Sequence, residues 1–578
     1  CIRDRELTVA IHRVFDTSVD RLVFDVGHQC YVHKALTGRR ELFDTLRQFG
    51  GLSGFPKPWE SVHDAFIAGH ASNSVSVALG MARARTLQGK DYHVLALIGD
   101  GAMGGGLSFE GLNDAGASGE PLIVILNDNG MSIDPNVGGL SRHLSRLRST
   151  PEYYEFKRRY RQMLTGSQTG KRVYAMSHDV KTALKKSLLP GSTVFENMGF
   201  TYMGPVDGHD VETLTQMLVL ARDMRRPVLL HVHTVKGKGY PYAQQEPGKY
   251  HGVGPFDVET GKPLKPSGES FSAVFGHELL DLAQKDDRIC AVTAAMVDGT
   301  GLTEFAHALP RRFFDVGIAE EHAVTFATAL ARSGAKPVFG VYGTFLQRAY
   351  DELWHDLCLN DAPATILVFG ASIFGTTSET HLSFFDISML GGLPNMHYLA
   401  PACMEEYLSM LSWSLDHREH PVAIRVPGIG LVSRPDLAPA EDTDYSAVRY
   451  NVVRQGRDVA VLALGDFFEL GERVANRLAA EYGIEATLVN PRFAAELDRK
   501  FLDSLVAEHR VVVTLEDGIL DGGWGERVAC YLACTPVRTR TFGIAKGFPD
   551  RYDPNELLAQ NGMTVENMAA EAVRLLNE

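Results

Sequence analysis

Two apolar runs that end in polar turns carry the first residues able to do chemistry. Residues 93–98 lead straight into Gly99-Asp100-Gly101-Ala102, followed by Gly104-Gly105-Gly106. A carboxylate at a strand's carboxyl end, flanked by glycines that let the backbone approach closely, suits a metal-bridged phosphate at a helix N-terminus. Residues 122–126 then deliver Asn127-Asp128-Asn129, with Asn129 placed 29 residues after Asp100. Neighbouring parallel strands would bring Asp100 and an Asn side chain to one edge, as hard oxygen ligands for an octahedral Mg²⁺ that keeps diphosphate oxygens. Two ordinary polar strand-to-helix turns are the competing explanation.

Glu320 is the second candidate. It follows the apolar run 313–316 and precedes a helix beginning His322-Ala-Val-Thr-Phe, which predicts a place at a strand's end facing a neighbouring domain. Burial there without a cation raises a carboxyl pKa and keeps the group able to share a proton. A carboxylate that merely suits a helix dipole describes Glu321 better.

These groups need parallel sheets to hold them. Short apolar runs alternate with helix-period stretches almost throughout, the pattern of strands crossed by helices. A first unit reads strands at 21–26, 93–98, 121–126 and 227–233, and a Pro- and Gly-rich linker follows at 255–270. A second reads strands at 289–294, 313–316, 337–341, 365–369 and 422–426, closed by a Pro-, Asp- and Gly-rich stretch at 428–446. A third reads strands at 458–464, 485–489, 510–515 and 537–541 before a helical tail.

The composition frames this. The chain has 578 residues, 57 Lys and Arg against 71 Asp and Glu for a net charge of −14, 45% hydrophobic and 22% charged residues, and 56 glycines. That length allows about three to five domains, each with its own core, and excludes a small stapled scaffold. Average apolar content argues against wholesale disorder and collagen-like repeats. The acidic balance argues against a nucleic-acid binder, which needs clustered Lys and Arg. The cysteines are Cys1, Cys30, Cys290, Cys358, Cys403, Cys530 and Cys534, with no Cys-x-x-Cys pair and no metal-ligand spacing, as suits a reducing compartment. With no 18-residue apolar run and no basic-then-apolar start, a cytoplasmic protein is expected. One stretch breaks the rhythm: residues 142–186 hold twelve Lys or Arg against three Asp or Glu, with several Tyr. Such a run reads as a solvated helical excursion, a cover over an anionic ligand, or a nucleic-acid or membrane patch, and its composition decides nothing.

A GDG turn followed by an Asn pair at this distance matches the thiamine-diphosphate motif, and the chain resembles the 1-deoxy-D-xylulose-5-phosphate synthase family of the transketolase-like superfamily. The resemblance covers essentially every residue, including Asp25-Val-Gly-His28-Gln-Cys-Tyr-Val-His33-Lys, Gly69-His70-Ala71-Ser72, Lys236-Gly-Lys-Gly-Tyr240 and Asp315-Val-Gly-Ile-Ala-Glu320-Glu-His322-Ala-Val. It implies an α/β, three-domain transketolase-like fold, with two doubly wound thiamine-diphosphate-binding domains and a C-terminal transketolase-type domain. The boundaries expected are 1–265 for the diphosphate-binding domain with a basic excursion at 138–200, 269–430 for the pyrimidine-binding domain, and 445–578 for the last. A homodimer is implied as well.

By the same resemblance Mg²⁺ falls to Asp100, Asn129 and the carbonyl of Met131, and the diphosphate to Gly101, Ala102, His28 and the Gly69-His70-Ala71 turn. Tyr240 and Phe345 would line the cofactor, and Glu320 would share a proton with its pyrimidine ring, making the exocyclic amine a base. Thiamine diphosphate then serves as the electron sink for decarboxylating a 2-oxo acid. His28, His251 and His381 join Glu320 as catalytic candidates, and Tyr342, Arg348 and His381 as substrate-binding ones, while His33 and His322 read as structural. The third unit's Thr514-Leu-Glu-Asp517-Gly and Gly522-Gly-Trp-Gly525 also fit the family. No catalytic constellation is read there, so packing and dimer contact are its expected work.

The acceptor side departs from the pattern. The family's Asp-Arg-Ala-Gly-x-x-Gly-x-Asp-Gly-x-Thr-His appears as Phe369-Gly370-Ala-Ser-Ile-Phe-Gly375-Thr-Thr377-Ser-Glu-Thr380-His381, and its Arg-Tyr-Pro-Arg-Gly as Arg425-Val-Pro-Gly428. Gly370, Thr377 and Gly428 thus replace the family's Arg, Asp and Arg, and charge-assisted Arg contacts of about 1.5 to 3 kcal/mol each are missing from phosphate recognition. The family's upstream Gly-Gly-His lies before the region of Leu7-Thr-Val-Ala, outside this sequence. The expected reaction joins pyruvate to D-glyceraldehyde 3-phosphate, giving 1-deoxy-D-xylulose 5-phosphate for isoprenoid, thiamine and pyridoxal precursors. The alternatives are a paralogue with another, unphosphorylated acceptor and, from a different class, a non-catalytic cofactor-binding scaffold.

Overall fold

β2 (Val94–Gly99) reads VLALIG and β3 (Ile123–Asp128) reads IVILND, and both are buried nearly from end to end. Such continuous apolar runs belong to strands covered on both faces. In the computed structural model, which describes residues 4–132, 135–149, 194–264, 271–428 and 430–578, they are the centre of a five-stranded sheet. Its other strands are β1 (Arg21–Phe24), β4 (Thr201–Asp207) and β5 (Val228–His233), in the order β1-β2-β3-β5-β4. Every pairing is parallel. Alternation sorts the side chains: Leu95 and Leu97 pack with the helices Arg5–Val14 and Val211–Asp223, whereas Ala96 and Ile98 pack with Ser74–Leu87 and Gly106–Ser118.

The chain divides into two compact units, Cys1–Pro266 with Gly317–Ala319, and Ser267–Val316 with Glu320–Glu578. The second holds two sheets. One contains β6 (Ile289–Thr293), β7 (Phe313–Asp315), β8 (Lys336–Tyr342), β9 (Thr365–Ala371), β10 (His397–Leu399) and β11 (Val422–Pro427), all parallel, in the order β10-β11-β9-β8-β6-β7. The other contains β12 (Asn451–Arg454), β13 (Asp458–Ala463), β14 (Thr487–Asn490), β15 (His509–Ile519) and β16 (Arg538–Ile544), in the order β12-β14-β13-β15-β16. Only its edge strand β12 runs antiparallel. One apolar core spans both, joining Val338, Ile366 and Tyr398 to Leu462, Val489 and Trp524, which is why they form a single unit.

Three strands escaped the sequence reading. β4 carries Gly204-Pro205 inside it and its register shifts between Met203 and Val206, features tolerated because it is an edge strand. β10 has three residues, and β12 is a short edge strand whose two valines are exposed. The stretch 428–446 is also more than a linker, since Leu431, Leu437 and Tyr445 are buried in it. Most of the basic excursion, residues 150–193, lies outside the described residues. Among the described residues no helix is long and apolar enough to cross a membrane.

Candidate active site

In the first unit the register fixes the site. Gly99 pairs with Asn127 across β2 and β3, and the Asp100 amide donates to the Asn127 carbonyl at 3.3 Å. Asp100 and Asn129 therefore leave adjacent parallel strands at the same carboxyl edge, where ligands of open α/β sheets bind. Asp100 Oδ2 accepts from the Gly130 amide at 2.7 Å, and Asn129 Oδ1 from the Met131 amide at 3.1 Å. The neighbouring Asn127 and Asp128 face the interior: Asn127 hydrogen-bonds Asp4 and Thr234, and Asp128 bonds His231 at 2.9 Å. Asn129 is thus the one of the three left to the edge.

Glycine at 105 is required by space. A Cβ there would stand 2.3 Å from Ser72 Oγ, and one at Gly101 would stand 3.0 Å from Asn136 Oδ1. The Gly69-His70-Ala71 turn is fixed through Ser72, which has φ +77, donates its amide to Asp25 Oδ1 at 2.8 Å and its hydroxyl to the Ala102 carbonyl at 2.7 Å. Gly101-Ala102 and Gly69-His70-Ala71 are thereby held as one surface.

Beside this edge lies a cavity of about 190 Å³, lined by His28, Lys236, Tyr240, Tyr250, His251 and Phe256 among others. His28 and His251 approach with ring centroids 5.2 Å apart, and Tyr240 packs between Tyr250 and Phe256. Lys236 joins the two regions, donating to the Ser132 carbonyl at 2.5 Å and to His251 Nδ1 at 3.2 Å. An ammonium only donates, so His251 presents a lone pair at Nδ1 and carries its proton on Nε2. Sequence reasoning quoted Lys236 within its motif and gave it no role; the Lys-Gly-Lys-Gly-Tyr spacing was the available signal.

The second unit carries the remaining candidates. Glu320 opens the helix Glu320–Arg332, is 3% exposed, and has Arg348 Nη1 at 3.4 Å from its Oε2. That oxygen is buried and makes no hydrogen bond. Burial pushes the Glu320 carboxyl up, the Arg348 guanidinium pulls against it, and the nearby Glu321 charge adds to the rise. The expectation of burial without a cation is corrected here, because Arg348 is that cation, although desolvation still prevails. Tyr342 stacks on Phe345 at 6.0 Å, and Phe345 meets the edge of His381 at 5.8 Å. His381 Nδ1 is paired with Thr380 Oγ1 at 2.8 Å. Burial also raises the Tyr342 phenol.

The histidines set aside as structural behave differently from these. His33 is fully buried between His12 Nε2 and Asp64 Oδ1, each at 2.9 Å. His322 lies against Phe326 with ring centroids 5.7 Å apart.

Comparison with known proteins settles the family. Residues 4–234 match the family model for 1-deoxy-D-xylulose-5-phosphate synthase, 268–430 the transketolase pyrimidine-binding domain, and 449–568 the transketolase C-terminal domain. The 1-deoxy-D-xylulose-5-phosphate synthase of Clostridium tetani is 44% identical over 576 residues, 99% of this chain and 92% of that protein. The chain belongs to the 1-deoxy-D-xylulose-5-phosphate synthase family. The synthase of Pelotomaculum thermopropionicum is 46% identical over 571 residues, covering 97% of this chain and 88% of its own. Among solved structures, a split-gene transketolase described as an inactive beta4 tetramer is 26% identical, covering 54% of this chain and 99% of its own, with a TM-score of 0.47. Membership in the synthase family accounts for the order of the three matched domains and for a chain built on three sheets.

Proposed function

We propose that this chain decarboxylates pyruvate and joins the two-carbon fragment to D-glyceraldehyde 3-phosphate, giving 1-deoxy-D-xylulose 5-phosphate, with thiamine diphosphate and Mg²⁺. The observation that carries the reading is the shared strand edge of Asp100 and Asn129, in a chain of this family. The donors fit a divalent hard cation: one carboxylate, one amide oxygen and the Met131 carbonyl, with room left for phosphate oxygens. The tight Gly101 and Gly105 backbone and the N-terminus of the helix Gly106–Ser118 suit a diphosphate.

Thiamine diphosphate, when bound, supplies the electron sink for loss of CO₂ and transfer of the remaining carbons. Burial raises the Glu320 carboxyl and so favours a proton that it can share with a ring nitrogen. His28 and His251 line the cavity where substrate oxygens need donors, and Lys236 sets His251 to donate from Nε2. Tyr342, Phe345 and His381 form an aromatic face for the aldehyde, and Arg348 offers a guanidinium for a carboxylate or phosphate. A homodimer and a cytoplasmic setting complete the reading; the six described cysteines are free, four of them buried, as suits a reducing compartment.

A second reading, an unphosphorylated acceptor, is favoured by one feature. A Cβ on Gly428 would stand 2.4 Å from Gly375 Cα, so backbone packs on backbone where the family pattern has arginine. Product identification by mass spectrometry, from pyruvate with phosphorylated and unphosphorylated aldehydes, separates the two. A higher kcat/KM for glyceraldehyde 3-phosphate supports the first; equal values overturn its phosphate specificity. CO₂ release that survives Glu320→Gln unchanged would overturn both.

A further inference from the structure

β9 carries Gly370, at φ +67, as its next-to-last residue and ends at Ala371, and the chain passes through Ser372 towards His381. Ser372 has φ +132, a conformation L residues rarely adopt, at a position where the family pattern has glycine. Such a residue persists only when its surroundings hold it. The Ser372 hydroxyl donates to Asp466 Oδ2 at 2.9 Å and accepts the Phe374 amide at 3.3 Å. The segment between β16 and the helix Pro554–Gln560 grips the same loop. Tyr552 donates its hydroxyl to the Ile373 carbonyl at 2.8 Å, the Arg551 amide donates to the Thr377 carbonyl at 2.6 Å, and Asp550 Oδ1 accepts the Glu379 amide at 3.1 Å. The loop closes on itself where Thr376 Oγ1 donates to the His381 carbonyl.

Asp466, which follows β13, also lies where the charge of Asp517 on β15 acts on it. Asp466 Oδ1 and Asp517 Oδ2 are both buried and make no hydrogen bond. Arg425 donates to Asp517 Oδ1 at 2.6 Å and to Asp386 Oδ2 at 2.6 Å, and Tyr398 donates to Asp386. Burial and the neighbouring Asp517 charge push the Asp466 carboxyl up, against the pull of the Arg425 guanidinium.

We propose that Asp466 is a positioning residue for the acceptor half of the reaction, latching the 370–381 loop to the third sheet through Ser372 and so setting where His381 stands against Phe345. This rests on the proposed function, which places His381 at the aldehyde, and it gives the third sheet a part in the site beyond packing and dimer contact.

The test uses the full-length enzyme with cofactor and Mg²⁺ and has two readouts, steady-state kinetics and hydrogen–deuterium exchange across 370–381. Asp466→Ala is expected to raise KM for the aldehyde on the order of tenfold, the scale of one hydrogen bond, with KM for pyruvate within about twofold. Amide exchange in the loop accelerates by a similar factor. Asp466→Asn, which still accepts from Ser372, restores both readouts. Ser372→Ala repeats the Asp466→Ala effect, and the double variant adds nothing to it. Unchanged loop exchange in Asp466→Ala, or KM rising equally for both substrates, overturns the latch. If the unmodified enzyme condenses no aldehyde, the proposed function falls, while the exchange result still decides whether Asp466 holds the loop.

Discussion

Arg348 Nη1 stands 3.4 Å from Glu320 Oε2 in a buried setting, so a cation opposes the desolvation that raises the glutamate carboxyl. The proposed chemistry needs Glu320 to hold a proton, and its loss on the alkaline side is expected to end activity. Arg348→Met removes the opposing cation and lets the carboxyl rise further. The alkaline limb of pyruvate-dependent CO₂ release should then move to higher pH, and a limb that stays in place would deny the coupling. Glu320→Gln should lower the rate by about 10²- to 10⁴-fold.

Asp100 and Asn129 are expected to act together on cofactor retention. At cofactor a hundredfold above its Kd, binding adds about 2.7 kcal/mol of stability, which thermal unfolding reads as a Tm rise of several degrees. Asp100→Ala or Asn129→Ala should remove the Mg²⁺-dependent part of that rise. Persistence of the full shift in both variants would move the metal elsewhere.

Asp64 is a structural centre. It accepts from Arg39 Nη1 at 2.7 Å, Arg39 Nη2 at 2.8 Å and the Lys57 amide at 2.7 Å, and it pairs with His33 at 2.9 Å. Together these hold its carboxyl well below the usual range. Asp64→Ala leaves Arg39 buried without this partner, which should cost about 3 to 5 kcal/mol. Unfolding of the variant would be read by calorimetry, and an unaltered first transition would contradict the role.

Glu516 on β15 gives a pH signature. Burial raises its carboxyl from 4.5 to about 7, despite hydrogen bonds from the Trp524 and Gly525 amides. The folded state then binds the proton more tightly than the unfolded one. Stability from this group is full below pH 4.5 and declines as pH climbs through about 7, a loss of about 3 kcal/mol. Glu516→Gln should show a shallower fall in Tm between pH 5 and 8 than the parent protein. Parallel curves would argue that the group stays ionised.

The sequence by itself determined the class and the local chemistry. Continuous apolar runs such as 94–98 and 123–126 announce strands covered on both faces, and the turns after them can only stand at the carboxyl edge of a parallel sheet. Their placement at strand ends was therefore legible for Asp100 and the Asn127-Asp128-Asn129 turn, while the choice of Asn129 and the role of Glu320 came from the family resemblance. Strands without such a run, β4 with its internal Gly-Pro and the short edges β10 and β12, were not, because their pairing is supplied by neighbours rather than by their own residues.

Only the tertiary structure decided the rest. Local sequence cannot tell that Arg348 reaches Glu320, that Lys236 orients His251, or that Ser372 meets Asp466 94 residues away. Those relations depend on which side chains are desolvated together, and burial in common is a property of the packed core rather than of any stretch of chain. The sequence named the groups that can do the chemistry; packing decided which charges and hydrogen bonds act on them.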